Sequence, residues 1–471
     1  MIPRRLVRVS VLAGVGVSVL FACTPVQPVA DPVAVMLDRL RDPARRLAAA
    51  EQLGAISQAE DPEALAQAMT RLFWSDAQPA SLRLLAMNRL LEYDPQAFWR
   101  TASWRILQID HWPVLQALVE RAVQTGDPAR TPMLVRSLAR TSRTYRDDTL
   151  RPEYAAIEAL NPGRSVESVV FDVMVGEDRS RSAACRVDAW ALLNRLIGPG
   201  RAREMLAAAT TQPPVVADLR DALWLDVLPA NRETVLWLMR VRELGEGRFW
   251  RQARETVEQL TGEQRQGVAL RHLPVLLTAT AEELTMTRLE LLRQLQVKLS
   301  RVEVTRRAEA GNRRVLPAES LADHASELCF ADLLNIQRVV EALRDSQLIQ
   351  ELFRQADADY RDKTTEHGGV LAAETNRCRA IAFAPLMKSH DRAFHASDEL
   401  IRRLYTGLAH YHFHAQSHRN GDYAGPGPGD LRFVENLGAA AVVLTFLDEN
   451  TLAVDYYQPN DVVLDLGTIR R

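Results

Sequence analysis

Residues 409–414 read Ala-His-Tyr-His-Phe-His and are the most informative stretch of this 471-residue chain. Successive side chains of a β-strand point to opposite faces, so the stretch predicts a strand with His410, His412 and His414 on one face. Neutral imidazoles grouped in this way offer lone pairs, and a metal ion is the commonest reason for such a grouping. The stretch therefore predicts a β-containing domain that carries a metal site.

A carboxylate follows this predicted strand in a rigid setting. Residues 425–431 read Gly-Pro-Gly-Pro-Gly-Asp-Leu, and their alternating Gly and Pro deliver Asp430 to the start of a helix. Two imidazoles and one carboxylate leave one position of a tetrahedral zinc ion open. His412, His414 and Asp430 are therefore the predicted zinc ligands. The alternative for Asp430 is a helix cap without a metal, and the alternative site consists of the three histidines alone.

The segments around this stretch alternate between short apolar runs and turns, which is typical of strands. Glu366 directly precedes the first of these runs, and its carboxylate is the predicted proton acceptor and donor of the site. Its alternative role is that of a solvated residue at a strand start. The predicted elements are a hairpin of strands 368–373 and 378–384 about Asn376-Arg377, a helix from Ser397 to Gly407, and closing strands at 440–448, 451–457 and 462–466.

These motifs together resemble the JAMM/MPN metallopeptidase domain. That family has a Glu before a strand of small residues, then a helix, then His-x-His at a strand end, then Ser-x-x-Asp at the start of another helix. The matching residues here are Glu366, His412-Phe413-His414 and Gly427-Pro428-Gly429-Asp430. The resemblance covers residues 366–466. It implies an α/β (α+β) fold, a catalytic zinc ion and hydrolysis of amide or isopeptide bonds.

The sequence departs from the family pattern at two places. Gly427 stands where the family has its serine, which the resemblance implies helps to hold the oxyanion; loss of one such donor raises the barrier by about 2.7 to 4 kcal/mol. The segment between His414 and Asp430 is also longer than in the family. Ser417 lies in that segment and, with His410, is a predicted auxiliary residue of the site.

A long helical region precedes this domain. Between residues 32 and 280, apolar residues recur at three- and four-residue spacing, and Pro or Gly interrupts the pattern regularly. Similar units begin at Pro43 and Pro79, 36 residues apart, which is typical of HEAT-like repeats. The predicted fold class is thus an all-α HEAT-like solenoid, or an irregular helical bundle, followed by the JAMM/MPN-like domain. Residues 281–360 are a predicted helical connector in which one helix runs from Glu282 to about Ala308.

The first residues resemble a bacterial lipoprotein signal. Arg4, Arg5 and Arg8 precede a short apolar run, and Leu20-Phe21-Ala22-Cys23 resembles a lipobox. This predicts a signal peptide at 1–22, a lipidated Cys23 at the mature N-terminus and a spacer at 23–31. The JAMM/MPN-like domain described above is predicted to span 361–471. The alternatives are an uncleaved membrane anchor and a free cysteine in an ordinary signal peptide.

These features predict an exported lipoprotein on the periplasmic face or the cell surface. Its two candidate functions are a zinc-dependent hydrolase whose helical repeats hold a protein or peptide, and a non-catalytic scaffold with a degenerate C-terminal domain. A net charge of −2 gives no basic surface for nucleic acid, so no nucleic-acid partner is expected. Cys185, Cys329 and Cys378 lack the spacing of a metal knuckle.

Overall fold

The computed structural model describes residues 31–142, 144–178, 181–242, 248–300, 319–374 and 377–471. This part of the chain is mostly helical, with 22 helices and a C-terminal sheet of six strands. None of the helices it describes combines the length and apolarity needed to cross a bilayer. The predicted signal peptide, Cys23 and most of the spacer lie outside the described residues.

Helices make up all of the regular structure described between residues 32 and 300. They are α1 Pro32–Leu37, α2 Pro43–Gln52, α3 Pro62–Phe73, α4 Ala80–Tyr93, α5 Pro95–Arg105, α6 Trp112–Gln124, α7 Thr131–Ala139, α8 Pro152–Leu160, α9 Val166–Val175, α10 Ala183–Ala208, α11 Pro214–Trp224, α12 Arg232–Arg242, α13 Arg248–Gln259, α14 Gly262–Arg265, α15 Leu273–Thr278, α16 Ala281–Thr285 and α17 Arg288–Leu299. The predicted absence of strands from Pro32 to Leu277 is therefore confirmed for the described residues.

Local sequence explains where many of these helices begin. Asp42, Asp61 and Asp94 each precede a proline, and each carboxylate accepts hydrogen bonds from backbone N–H groups of the first turn. Aspartate caps a helix N-terminus well, and proline fits the first helical position because its missing N–H would have no partner there. The Asp-Pro pairs thus place helix starts at short intervals.

The chain divides into two compact units between Leu118 and Val119. Within the first unit, α1 packs on α2, α3 packs on α4, and α2 also contacts α4. The two similar sequence units noted above correspond to α2 and α4. The predicted domain boundaries at 280 and 360 both fall within the second unit and stay predictions.

The predicted continuous helix from Glu282 to Ala308 is wrong. The segment forms α16 and α17, separated at Met286-Thr287, and residues 301–318 lie outside the described part. Thr280 with Glu283 and Thr287 with Glu290 each form a capping box, so two helices start where one was expected. α17 packs on a later helix of the same chain, Phe330–Ala342.

The remaining elements form the C-terminal part of the second unit. They are α18 Leu321–His324, α19 Phe330–Ala342, α20 Ser346–Arg361, β1 Gly368–Glu374, β2 Arg377–Phe383, α21 Asp398–Arg403, β3 Gly407–His414, α22 Pro428–Leu437, β4 Ala441–Asp448, β5 Thr451–Gln458 and β6 Val462–Arg470. The strand order is β2-β1-β3-β4-β5-β6. Only the β3–β4 pair is parallel; the other described pairs are antiparallel. Every predicted strand is present.

Helices cover both faces of this sheet. On one face, Asn335 of α19 donates hydrogen bonds to the Leu408 carbonyl (2.9 Å) and the Tyr456 hydroxyl (3.2 Å), and Gln355 of α20 accepts one from Tyr411. On the other face, Val434 of α22 is buried in an apolar cluster with residues of β4, β5 and β6. α22 connects the parallel strands β3 and β4, so its first turn lies beside the end of β3.

Candidate metal centre

A cleft of about 450 Å³ opens where the end of β3 meets the start of α22. Its size is within the range of small-ligand sites. It brings together all four residues of the predicted catalytic and metal set. The lining residues are Glu366, Arg392, Ala393, Phe394, His410, His412, His414, Gln416, Asn420, Tyr423, Gly427, Gly429, Asp430, Phe433 and Tyr457.

The two histidines at the end of β3 present ring nitrogens to Asp430. Nε2 of His412 lies 3.5 Å from Oδ1 of Asp430, and Nε2 of His414 lies 3.9 Å from Oδ2. Nε2 of His412 is buried and makes no hydrogen bond of ordinary geometry with the described residues, so its contact with Asp430 is an ion pair at the limit of hydrogen-bond distance. Nδ1 of His414 lies 2.7 Å from the Tyr423 carbonyl oxygen. That carbonyl can only accept, so Nδ1 carries the proton and Nε2 keeps its lone pair when the ring is neutral.

Asp430 both caps α22 and faces the imidazoles. It occupies the third position of the helix, and its Oδ2 accepts a hydrogen bond of 2.7 Å from the Gly427 N–H. The structure thus shows the capping role that was predicted as the alternative for Asp430. The same side chain also lies beside His412 and His414. The cap fixes the carboxylate orientation, which is how hydrogen-bonded carboxylate ligands are held at metal sites.

Glu366 lies at the same point of the cleft. Ligand atoms of Glu366, His412 and His414 all lie within 4.8 Å of one another, a grouping that could hold a metal ion. Glu366 is only 5% exposed. It is therefore not a solvated residue at a strand start, which was the alternative prediction. Burial raises the pKa of Glu366 to about 7, although His412 and a hydrogen bond from Gln416 act in the opposite direction.

The charges of this group depend on one another. Burial acts to lower the pKa of His412, but the negative charges of Asp430, Glu366 and Asp359 outweigh it and raise that pKa to about 9. Burial likewise acts to raise the pKa of Asp430, but His412 and His414 hold it well below its usual range. Without a metal, the buried His412 and the partly exposed Asp430 thus form an ion pair.

His410 lies deeper along the same face of β3. Its Nδ1 lies 2.9 Å from the Gly369 carbonyl oxygen, and its ring stacks on Phe394. Burial lowers the pKa of His410 to about 3, so the ring is neutral and Nδ1 donates to that carbonyl. His410 lines the cleft but, like Asp430, is not in the group of Glu366, His412 and His414 whose ligand atoms all lie within 4.8 Å of one another.

Ser417 lies outside the cleft lining. It is exposed, and its hydroxyl oxygen accepts a hydrogen bond of 3.1 Å from the Arg419 N–H. The longer segment after His414 does contribute to the site, but through its neighbours Gln416 and Asn420.

Gln416 and Asn420 form a hydrogen-bonded chain next to Glu366. The sequence did not predict a role for either residue. Nε2 of Gln416 donates to Oε1 of Glu366 at 3.0 Å. Oε1 of Gln416 accepts from Nδ2 of Asn420 at 2.7 Å, and that amide also donates to the His414 carbonyl at 3.1 Å. The Asn420 N–H donates to the Phe446 carbonyl at 2.8 Å, which ties the chain to β4. The only feature of the sequence that pointed to these two side chains was the extra length of the segment between His414 and Asp430.

His272, Cys329 and Asp332 form a second grouping of metal-ligand types. Its imidazole and carboxylate already have hydrogen-bond partners within the protein. Nδ1 of His272 accepts from the Ala269 N–H at 2.8 Å, so Nε2 carries the proton and donates to Oδ1 of Asp332 at 2.7 Å. Arg271 donates to the same oxygen at 3.0 Å. Both ring nitrogens are occupied, and the arginine supplies the positive charge that a metal would bring.

Comparison of the chain with protein-family models, with curated proteins and with solved structures finds no match. Any function assigned to this chain therefore rests on the geometry of the cleft.

Proposed function

We propose that this protein is an exported lipoprotein whose C-terminal domain is a zinc-dependent hydrolase of amide or isopeptide bonds. The observation that carries the proposal is the convergence of two imidazoles and one carboxylate: Nε2 of His412 lies 3.5 Å from Oδ1 of Asp430, and Nε2 of His414 lies 3.9 Å from Oδ2. A metal ion bound among these groups would take the place of the proton in the His412–Asp430 ion pair.

The donor set suits zinc. Imidazole nitrogens and a carboxylate oxygen are its usual protein ligands, and catalytic zinc sites have three protein ligands and one open position. His412, His414 and Asp430 would hold the ion. When bound, zinc supplies a Lewis acid that polarises a carbonyl group and makes water a better nucleophile at neutral pH.

Glu366 would move the protons of the reaction. Its carboxylate faces the same point as the two imidazoles, and its pKa of about 7 suits a group that takes up a proton and then releases it at neutral pH. The hydrogen bond from Gln416 orients one carboxylate oxygen and leaves the other for the reacting water and the leaving amine. The order Glu366, His412, His414, Asp430 along the chain, each at the element end that the JAMM/MPN resemblance implies, supports this assignment.

A non-catalytic scaffold is the second candidate, and Gly427 is the observation that favours it. Gly427 has no side chain to donate a hydrogen bond, although it occupies the position of the JAMM/MPN serine. On this view the C-terminal domain keeps a metal for stability, and the HEAT-like helical repeats bind a protein or peptide partner without turnover. In the hydrolase, the same repeats would hold the substrate.

Two variants separate these candidates when the full chain is incubated with a library of acylated peptides. For a hydrolase, His412→Ala should remove both zinc and activity, because a ligand is lost. Glu366→Gln should keep zinc and lose activity, because only proton transfer is removed. A wild-type protein that binds zinc but cleaves no member of the library supports the scaffold.

Lipidation at Cys23 is tested separately. Mass analysis of the protein extracted from membranes should find a mature N-terminus at Cys23 with an attached lipid. An intact Met1, or an unmodified Cys23 at the N-terminus, would exclude the lipoprotein part of the proposal.

A further inference from the structure

One cation faces the cleft of the candidate metal centre from the segment between β2 and α21. Arg392 is exposed and lines the cleft together with Glu366, His412, His414 and Asp430. Among the described residues, no carboxylate forms an ion pair with its guanidinium. Surface arginines are commonly solvated, so a role for Arg392 requires that something hold it in place at the cleft.

The backbone on both sides of Arg392 is anchored to the site. The carbonyl of Asp391 accepts a hydrogen bond from Gln416, the residue that also holds Glu366. The carbonyl of Ala393 accepts one of 3.4 Å from the Glu366 N–H. The next side chain, Phe394, stacks on His410. The backbone at Arg392 is thus anchored at the cleft wall, and its exposed side chain makes no ion pair with the described residues.

The charges of the cleft create a need for this cation when the ligand is an anion. Glu366 and Asp430 are carboxylates, and both would repel a substrate carboxylate that entered beside them. A bound zinc ion would offset that charge at the ligands, and Arg392 would supply a further positive charge at the cleft wall. Guanidinium groups bind carboxylates through two parallel hydrogen bonds, which gives the pair a defined geometry.

We propose that Arg392 is a specificity-determining residue that binds a carboxylate of the substrate, so that the cleft takes acidic peptides. The inference rests on the proposed function, because it concerns the same cleft. Phe394 and Phe433 line the cleft as well, and their rings would contact the apolar part of a peptide whose carboxylate is held by Arg392. The carboxylate belongs either to a chain terminus or to an acidic side chain.

The test uses binding rather than turnover, and short acetylated peptides as probes. Acetyl-Ala-Ala is compared with its C-terminal amide, and acetyl-Ala-Glu-amide with acetyl-Ala-Gln-amide, by calorimetry on the full chain saturated with zinc. Loss of a charge-assisted hydrogen-bonded pair typically weakens binding about tenfold or more. One of the two acids should therefore bind at least about tenfold more tightly than its amide, and which acid does so identifies the source of the carboxylate.

Two arginine variants complete the experiment. Arg392→Gln should abolish the preference for the acid, whereas Arg402→Gln, which removes an exposed charge of α21 outside the cleft lining, should leave it unchanged. Equal binding of acids and amides by the wild type, or a preference that survives Arg392→Gln, overturns the inference. Zinc content measured on the same samples tests the proposed function independently, because Arg392 is not among its ligands.

Discussion

Nε2 of His412 lies 3.5 Å from Oδ1 of Asp430, in a site where His412 is only 2% exposed. The two residues come from β3 and α22, elements that meet because α22 connects two parallel neighbouring strands. In the chain without metal they form an ion pair in which only the imidazole is fully buried. A metal ion would replace the proton of the imidazole, and the same two side chains would become ligands.

Gln416 is expected to act on the reaction through Glu366. Gln416→Leu removes the amide that donates to Oε1 of Glu366, so the carboxylate loses its orientation while the metal ligands stay intact. Loss of such a supporting residue typically costs about 10- to 100-fold. We expect kcat for peptide cleavage to fall by that factor with unchanged zinc content. Gln416→Glu should also move the acid limb of the pH–rate profile to higher pH, because a second carboxylate raises the pKa of Glu366. An unaltered profile would contradict this role.

Introducing a hydroxyl at residue 427 is expected to increase turnover. A Cβ built on Gly427 would meet only Oδ2 of Asp430, at the ordinary contact distance of 3.5 Å, and the residue has an extended backbone that serine adopts readily. If a missing oxyanion donor limits the reaction, Gly427→Ser should raise kcat by up to about 10²-fold. Gly429→Ser is the matched control, since a Cβ there meets nothing within 4 Å. Equal effects of the two substitutions on kcat would exclude the oxyanion explanation.

Asp359 is expected to make stability depend on pH in the metal-free protein. Burial raises the pKa of this α20 carboxyl from 3.8 to about 8, although the His367 N–H donates to it and acts in the opposite direction. Because this pKa is higher in the folded than in the unfolded state, the protonated carboxyl stabilises the fold. The stabilisation is fully present below pH 3.8 and is lost as pH rises through 8. Asp359→Asn should therefore gain stability over the wild type between these limits, on the order of 5 kcal/mol at the upper one, since each pKa unit corresponds to about 1.36 kcal/mol. Urea unfolding in EDTA at several pH values measures it, and a difference independent of pH would contradict the assignment.

The sequence predicted those parts of the fold that depend on local pattern. Strand alternation placed His410, His412 and His414 on one face, and all six strands occur where the apolar runs predicted them. The break between α16 and α17 was missed although its signal was local. Thr287 and Glu290 have the spacing of a capping box, and this outweighed the apolar spacing that favoured one helix.

The supporting residues of the site could not be predicted in this way. Gln416 contacts Glu366 across 50 positions of sequence, and the Arg392 segment is held to the site by backbone hydrogen bonds. Neither relationship leaves a periodic trace, because a hydrogen bond between distant loops depends on how the whole sheet is assembled. Asp430 shows the limit most clearly, since the sequence offered capping and metal binding as alternatives, and the structure shows that its carboxylate caps α22 and also lies beside His412.

The most direct measurement is the zinc content of the full chain, purified without a histidine tag, exposed to zinc and then dialysed. We expect one zinc ion per chain in the wild type, in Glu366→Gln and in Cys329→Ser, because Asp332 beside Cys329 is already paired with His272 and Arg271. His412→Ala should bind none. The proposal that β3 and α22 form a metal centre would be contradicted if the wild-type chain held no zinc, or if His412→Ala retained zinc in full.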